Sequence, residues 1–199
     1  MKKKVLYMVV LLSFFALAGC SKDNISLNTN DINTNTMLVK RDGTIYTAII
    51  EEFTENYYSL SELNEFTSSE VNKYNEKVGS NEVTIEDLEL RNGKAVLTLK
   101  YSKMEHYSAF QNMPAAYYNA SLQDVPLELP EQYVDAKKNT VVGKDTAMEN
   151  GKNKVLVLYE PYEILVEGNI KYYSNNATLI EDNKVGSYND EMVVVVFKP

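Results

Sequence analysis

Polar and apolar residues alternate along two segments of the chain, and a turn signal interrupts each alternation. The signal is Asp42-Gly43 in residues 37–53 and Asn92-Gly93 in residues 83–101. Such pairs favour tight hairpins because both residues tolerate a positive φ. The second alternation changes phase near Glu86-Asp87, which indicates a β-bulge. Both segments are therefore predicted to be β-hairpins.

A helical period follows the first hairpin and predicts a long helix between Ser59 and Gly79. Ser59 and Glu62 form a capping box at its start, and Gly79 is suited to end it. The apolar stripe is expected to face the core, with a binding groove as the alternative; its residues are Leu63, Phe66, Val71, Tyr74 and Val78. A second capping box, Ser102 with Glu105, predicts a short helix.

Residues 115–154 have no sustained hydrophobic period and are interrupted by prolines and glycines. A long irregular segment inside a compact domain is uncommon, and it is either functional or poorly ordered. If the domain has a loop that faces a ligand, we expect it here.

The last third of the chain is rich in β-branched and aromatic residues and predicts strands. Residues 164–166 and 170–173 are predicted to pair across Gly168-Asn169, and residues 183–190 to form a loop. The four valines at 193–196 predict a strand buried on both faces. The whole pattern predicts an α+β fold with antiparallel β-hairpins in a sheet and one long and one short helix packed on it, as a single domain over residues 37–199.

A different pattern opens the chain. Three lysines at positions 2–4 precede an apolar run over residues 5–18, and the run leads into Leu17-Ala18-Gly19-Cys20. A basic start, a short apolar core and small residues before a cut are typical of a secretory signal peptide. The core is shorter than the roughly 20 residues that a helix needs to span a bilayer.

The four residues that end this segment resemble the lipobox of bacterial lipoproteins. The resemblance implies cleavage between Gly19 and Cys20 and diacylation of the Cys20 sulfur. Residues 1–19 would then be the signal peptide, and the protein would be attached to the extracytoplasmic face of the cell membrane. Cys20 is the only cysteine, so no intramolecular disulfide competes for its thiol. Two acyl chains are enough to hold a protein stably at a membrane.

The net charge of the chain after Cys20 limits the classes of partner that the domain can bind. All 28 acidic residues but only 17 of the 20 basic ones follow Cys20, a formal charge of −11 for that part of the chain. Nucleic acid needs a positive surface, so it is not expected as a partner. Residues 20–36 comprise Cys20 and a segment rich in Asn, Ser and Thr, which predicts a flexible tether. We expect a monomer.

Candidate catalytic chemistry is sparse. His106 is the only histidine and is expected to be a surface or packing residue, since one His and one lipidated Cys cannot build the usual zinc site. No cofactor or metal is predicted. Acids and aromatic rings crowd together only around Pro161, at Tyr159, Glu160, Tyr162 and Glu163. These four residues could grip a sugar or a cation, and the alternative is a solvated turn between two strands.

The layout as a whole is also similar to the small surface lipoproteins of Gram-positive bacteria that have no assigned activity. The similarity includes a Lys-Asp-Gly-like hairpin, here Lys40-Arg41-Asp42-Gly43. This similarity implies a location at the cell surface and the order of segments in the chain, and it indicates no functional residues. The leading hypothesis is a non-enzymatic envelope protein that binds a ligand or partner, either an envelope protein or a glycan. The alternatives are a glycan hydrolase or cell-wall-modifying enzyme based on acids such as Glu160 and Glu163, and a structural spacer with no concave site.

Overall fold

The structure, a computed structural model, describes residues 26–28, 30, 32–120 and 127–199. These residues form two β-sheets with thirteen strands in total, together with three helices. The predicted α+β class, with a long and a short helix against antiparallel sheets, is confirmed. The signal segment and Cys20 lie outside the described residues, as do residues 121–126.

The helices are α1 (Leu60–Val78), α2 (Met104–Gln111) and α3 (Lys144–Met148). The strands are β1 (Thr36–Val39), β2 (Ile45–Glu52), β3 (Val83–Arg91), β4 (Lys94–Tyr101), β5 (Ala116–Asn119), β6 (Gln132–Asp135), β7 (Thr140–Gly143), β8 (Lys154–Leu158), β9 (Glu163–Val166), β10 (Asn169–Ser174), β11 (Thr178–Glu181), β12 (Lys184–Gly186) and β13 (Val193–Lys198). The first sheet has the order β11-β12-β9-β1-β2-β4-β3, and the second has the order β5-β8-β13-β10-β6-β7.

Both predicted hairpins are confirmed. Strands β1 and β2 pair antiparallel around Asp42-Gly43, and β3 and β4 pair around Asn92-Gly93. Asn92 and Gly93 both have positive φ values, 51° and 77°, as a tight two-residue turn requires. The register of β3 on β4 shifts between Ile85 and Asp87, where the bulge is predicted.

The capping of α1 follows the sequence, whereas that of α2 does not. Ser59 caps α1 by accepting a hydrogen bond from the Glu62 amide at 3.3 Å, and Gly79 ends the helix in the left-handed region with φ 79°. The residue before α2 is Lys103, which makes no side-chain cap hydrogen bond. The predicted cap at Ser102 is wrong because its hydroxyl instead donates to Glu82, a strong acceptor from the start of the second hairpin.

The predicted pairing of residues 164–166 with residues 170–173 is wrong. Strand β9 runs parallel to β1 in the first sheet, whereas β10 pairs with β13 and β6 in the second. The chain therefore crosses between sheets at Gly168 rather than turning back in one of them. A Cβ on Gly168 would lie 2.3 Å from the carbonyl oxygen of Lys198, so the crossover requires glycine.

Two segments predicted to be irregular contain strands or a helix among their described residues. Residues 115–154 contain β5, β6, β7 and α3, and the predicted loop over residues 183–190 contains β12. Each of these elements has only three to five residues, too few to show a hydrophobic period. Hydrogen bonds to longer neighbours, such as β5 to β8, complete them.

Strand β13 confirms the expected burial on both faces. Val193, Val195 and Phe197 belong to the main core cluster, which also contains side chains of the first sheet. Val194 and Val196 belong to a second cluster behind the second sheet. The neighbouring strand β8 divides its residues between the same two clusters. The second sheet is therefore covered on both sides along these two strands.

Candidate functional site

The four candidate residues around Pro161 are not a solvated turn. Tyr162 is buried in the main core, and its amide donates to the Glu160 carbonyl at 2.9 Å, which fixes the bend. Tyr159 is half-buried and packs against the second cluster. The Glu160 carboxylate accepts a hydrogen bond from the Tyr107 hydroxyl of α2. Glu163 begins β9 and forms an ion pair with Lys184 of β12.

Glu160 and Glu163, the two acids of the sequence-based hypothesis, therefore interact with different side chains. Glu160 joins a buried group of phenols, Tyr101, Tyr107 and Tyr162, whereas Glu163 is paired with Lys184 of the neighbouring strand in the first sheet. The rings of Tyr101 and Tyr107 meet edge to face with centroids 5.3 Å apart. Gln111 donates to the Tyr101 hydroxyl at 2.7 Å. We call Tyr101, Tyr107, Tyr162 and Glu160 the tyrosine cluster.

Burial controls the protonation of this cluster. It raises the pKa of Tyr101 to about 12, and it raises the pKa of Tyr107 and of Tyr162 still further. The nearby Glu160 carboxylate adds to the rise at Tyr107 and Tyr162 because it disfavours a second negative charge. The phenols are therefore neutral hydrogen-bond donors at physiological pH, and the cluster ties α2 to the bend before β9.

We expect the protein to lose stability as the pH rises above about 10. A tyrosine in the unfolded chain ionises near that pH, whereas the folded protein holds the phenols of the tyrosine cluster neutral up to a pKa of about 12 or higher. Above that pH the unfolded state binds fewer protons than the folded state. The contribution of these phenols to the free energy of unfolding is therefore fully present below about pH 10, and it is lost as the pH rises through their pKa values in the folded protein. Urea midpoints measured beside tyrosinate absorbance test this expectation. A constant midpoint with all phenols ionising near pH 10 would contradict it.

His106 connects three elements, and it is a packing residue as predicted from its isolation. Its Nδ1 lies 2.9 Å from the Tyr74 hydroxyl of α1, and its Nε2 lies 3.3 Å from Glu82. Glu82 also accepts hydrogen bonds from Ser80, at 2.7 Å, and from Ser102. This network joins α1, α2 and the second hairpin. Within the part of the chain that the structure describes, no group of three His, Cys, Asp or Glu side chains could hold a metal ion.

The apolar stripe of α1 is only partly in the core. Val71 is buried, but Phe66 is 65 % exposed and Val78 is 39 % exposed. Phe66 lines a groove of about 410 Å³ between α1, α2 and the first sheet, where Tyr74, Leu97 and Phe110 also lie. The expectation that the whole stripe faces the core is wrong, because α1 contacts mainly β3 and leaves one side of the stripe uncovered.

The larger concavity lies on the second sheet, and we call it the lysine cleft. Its volume is about 640 Å³, and it lies beside β6, α3 and β10. Its lining residues are Asp135, Lys137, Lys138, Thr146, Glu149, Asn150, Asn153, Ile170, Lys171, Tyr172 and Lys198. Seven of these eleven residues come from residues 115–154, the segment expected to face a ligand.

Four lysines and two acids line this cleft, although the domain as a whole is strongly acidic. Asp135 is engaged: its carboxylate accepts from the amides of Lys137 and Lys138 at 3.0 and 2.9 Å, and these bonds lower its pKa. The Lys138 ammonium lies 3.7 Å from the same carboxylate. Among the described residues, the ammonium groups of Lys137, Lys171 and Lys198 have no hydrogen-bond or ion-pair partner. The cleft therefore presents free positive charge.

A buried amide also faces the lysine cleft. Asn153 is only 3 % exposed, and its backbone is fixed by hydrogen bonds to Asn150 and Ala120 at 2.9 and 3.0 Å. Its side chain makes no hydrogen bond within the described ranges. Its amide atoms keep contact with the open space of the cleft, where they can donate to and accept from a polar group that enters it. The sequence contains no signal for this, because the lining residues are far apart along the chain.

Two further findings concern membranes and relatives. No helix in the described part of the chain is both long and apolar enough to cross a bilayer. Residues 1–25, including Cys20, lie outside the described residues, so lipid attachment stays a prediction. Comparison with protein families, with curated proteins and with solved structures found no match.

Proposed function

We propose that the protein is a lipid-anchored binding protein on the extracytoplasmic face of the cell membrane. Its anchor is Cys20, at the end of a signal segment that resembles a lipobox. Its folded domain binds a ligand and has no catalytic role. Residues 21–35, between the lipid and β1, are rich in Asn, Ser and Thr, a composition suited to a tether that would let the domain face away from the bilayer.

The lysine cleft is the observation that supports binding best. Its volume lies within the roughly 300–1,000 Å³ typical of ligand sites, and four lysines and the Asn153 amide are part of its lining. A structural spacer needs no such cleft. The arrangement of side chains is one that recognises a ligand, since it offers several donors around one open space.

The alternative of a two-acid glycan hydrolase has less support. Its carboxylates must face one substrate at separations of roughly 5 to 9.5 Å. Glu160 is bound by Tyr107 and Glu163 by Lys184, on different elements. Neither acid lines the lysine cleft or the groove beside α1.

Fractionation of bacteria that express the full chain tests the anchor. The unaltered protein is expected in the membrane fraction and to be extracted only by detergent, because two acyl chains hold it there. Cys20→Ser removes the acylated sulfur, and Ser21→Ala is the matched control at the next position. We expect the Cys20 variant to lose lipid label and to accumulate uncut, while the Ser21 variant behaves like the unaltered protein. Equal lipid labelling of the Cys20 variant would overturn the proposal.

A further inference from the structure

We propose that the lysine cleft binds a phosphorylated sugar, an inference that rests on the proposed binding function. Three kinds of group meet in the cleft, and each matches one part of such a ligand.

The cations identify an anionic group as the first part. Lys137 lies on the turn between β6 and β7, Lys171 on β10 and Lys198 at the end of β13, so three separate segments bring lysines to one space. The two acids in this space, Asp135 and Glu149, are outnumbered by the four lysines, so the lining keeps a net positive charge. An ammonium is a compact point charge that suits phosphate, which carries several oxygens and up to two charges.

The neutral polar groups in the cleft match the hydroxyl groups of a sugar, which are the second part of the proposed ligand. The Asn153 amide both donates and accepts hydrogen bonds, and the Thr146 hydroxyl lines the same cleft. Because the Asn153 side chain makes no hydrogen bond among the described residues and its amide reaches the cleft, a ligand hydroxyl can bind it directly.

The apolar wall and the size of the cleft identify a carbon ring as the third part. Two residues of β10, Ile170 and Tyr172, supply the apolar part of the lining. An aromatic ring and an aliphatic side chain offer a surface on which the C–H face of a sugar packs. Inorganic phosphate alone would leave most of the roughly 640 Å³ unfilled.

The test is calorimetric titration of the full chain, purified in neutral detergent, with glucose 6-phosphate, glucose and inorganic phosphate as probes. We expect saturable binding of glucose 6-phosphate that weakens with added salt, and weaker binding of both other probes. The double variant Lys137→Gln/Lys171→Gln is expected to lose about tenfold or more in affinity, since each lost charge-assisted hydrogen bond weakens binding several-fold. Asn153→Ala is expected to weaken glucose 6-phosphate more than inorganic phosphate.

Lys103→Gln is the matched control, because Lys103 is 68 % exposed and lies outside the cleft. Circular dichroism verifies that each variant is folded. No saturable binding of glucose 6-phosphate up to about 10 mM would overturn the proposal, as would equal affinity for glucose or an equal loss in the Lys103 variant. Because this titration does not require lipid on Cys20, its failure is distinct from a failure of the membrane anchor in the fractionation experiment.

A sedimentation assay distinguishes the two sources of such a ligand. Purified protein is mixed with insoluble bacterial cell walls, with and without glucose 6-phosphate as competitor. Sedimentation that the competitor abolishes assigns the phosphosugar to the wall. Titratable binding without sedimentation assigns it to a free metabolite.

Discussion

Replacing Phe197 by alanine is expected to lower the free energy of unfolding by about 3–5 kcal/mol, because it empties a fully buried aromatic site. Phe197 lies on β13, the strand between β8 and β10, and its ring packs near Tyr117 with centroids 6.2 Å apart. Strand neighbours on both sides restrain any collapse into the space. Urea unfolding followed by circular dichroism measures the loss.

Phe66→Ala is the control for this prediction. Phe66 is also a phenylalanine, but it is 65 % exposed on α1. Its loss removes little buried surface, so the unfolding midpoint should change by no more than about 0.5–1 kcal/mol in equivalent free energy. Equal losses at Phe197 and Phe66 would show that the second sheet is not the buried centre of the fold.

Replacing Tyr107 by phenylalanine is expected to cost about 1.5–3 kcal/mol, the usual range for a hydrogen bond to a charged group. The ring stays in the core at 1 % exposure, but the hydroxyl that donates to Glu160 is gone. The carboxylate is then left half-buried without this donor. The same urea unfolding measures the effect.

A double-mutant cycle with Glu160→Gln isolates this hydrogen bond. If the two side chains act as a pair, the double variant should lose less than the sum of the single variants. The matched control is Glu163→Gln, whose partner is Lys184 and which should add independently to Tyr107→Phe. Additive losses for Tyr107 with Glu160 would contradict the tyrosine cluster as a unit that joins α2 to the bend.

The parts of the fold that the sequence predicts are those fixed by neighbours in the chain. The turn at Asn92-Gly93 has two residues with positive φ, and the turn at Asp42-Gly43 has one, Gly43. The ends of α1 depend on Ser59 and Gly79, within one turn of the helix they limit. Local chemistry is enough to specify each of these.

The parts that it does not predict depend on contacts between distant segments. A Gly-Asn pair between two apolar runs suits a hairpin, yet at Gly168 the chain crosses between sheets because β9 is held by β1, more than a hundred residues earlier. The short strands β6 and β7 exist through hydrogen bonds to each other and to β10. No periodicity within four residues reveals such pairing.

In the candidate site, too, the sequence predicts the features set by neighbouring residues and not those set by contacts between distant segments. The crowding of acids and tyrosines around Pro161 is visible in the sequence, but the donor that binds Glu160 is Tyr107, 53 residues away. The expectation of a ligand-facing segment in residues 115–154 agrees with the position of the lysine cleft. Its cations could not be assigned in advance, because Lys171 and Lys198 reach it through the order of strands in the second sheet.

The central claim, a domain anchored through lipid on Cys20, is tested most directly by mass spectrometry of the N-terminal peptide. The protein is expressed from its full sequence in a bacterium and extracted from membranes with detergent. We predict a peptide that begins at Cys20 and is heavier than its sequence by a diacylglyceryl group. A peptide that begins at Met1, or one in which Cys20 carries no lipid, would contradict the account.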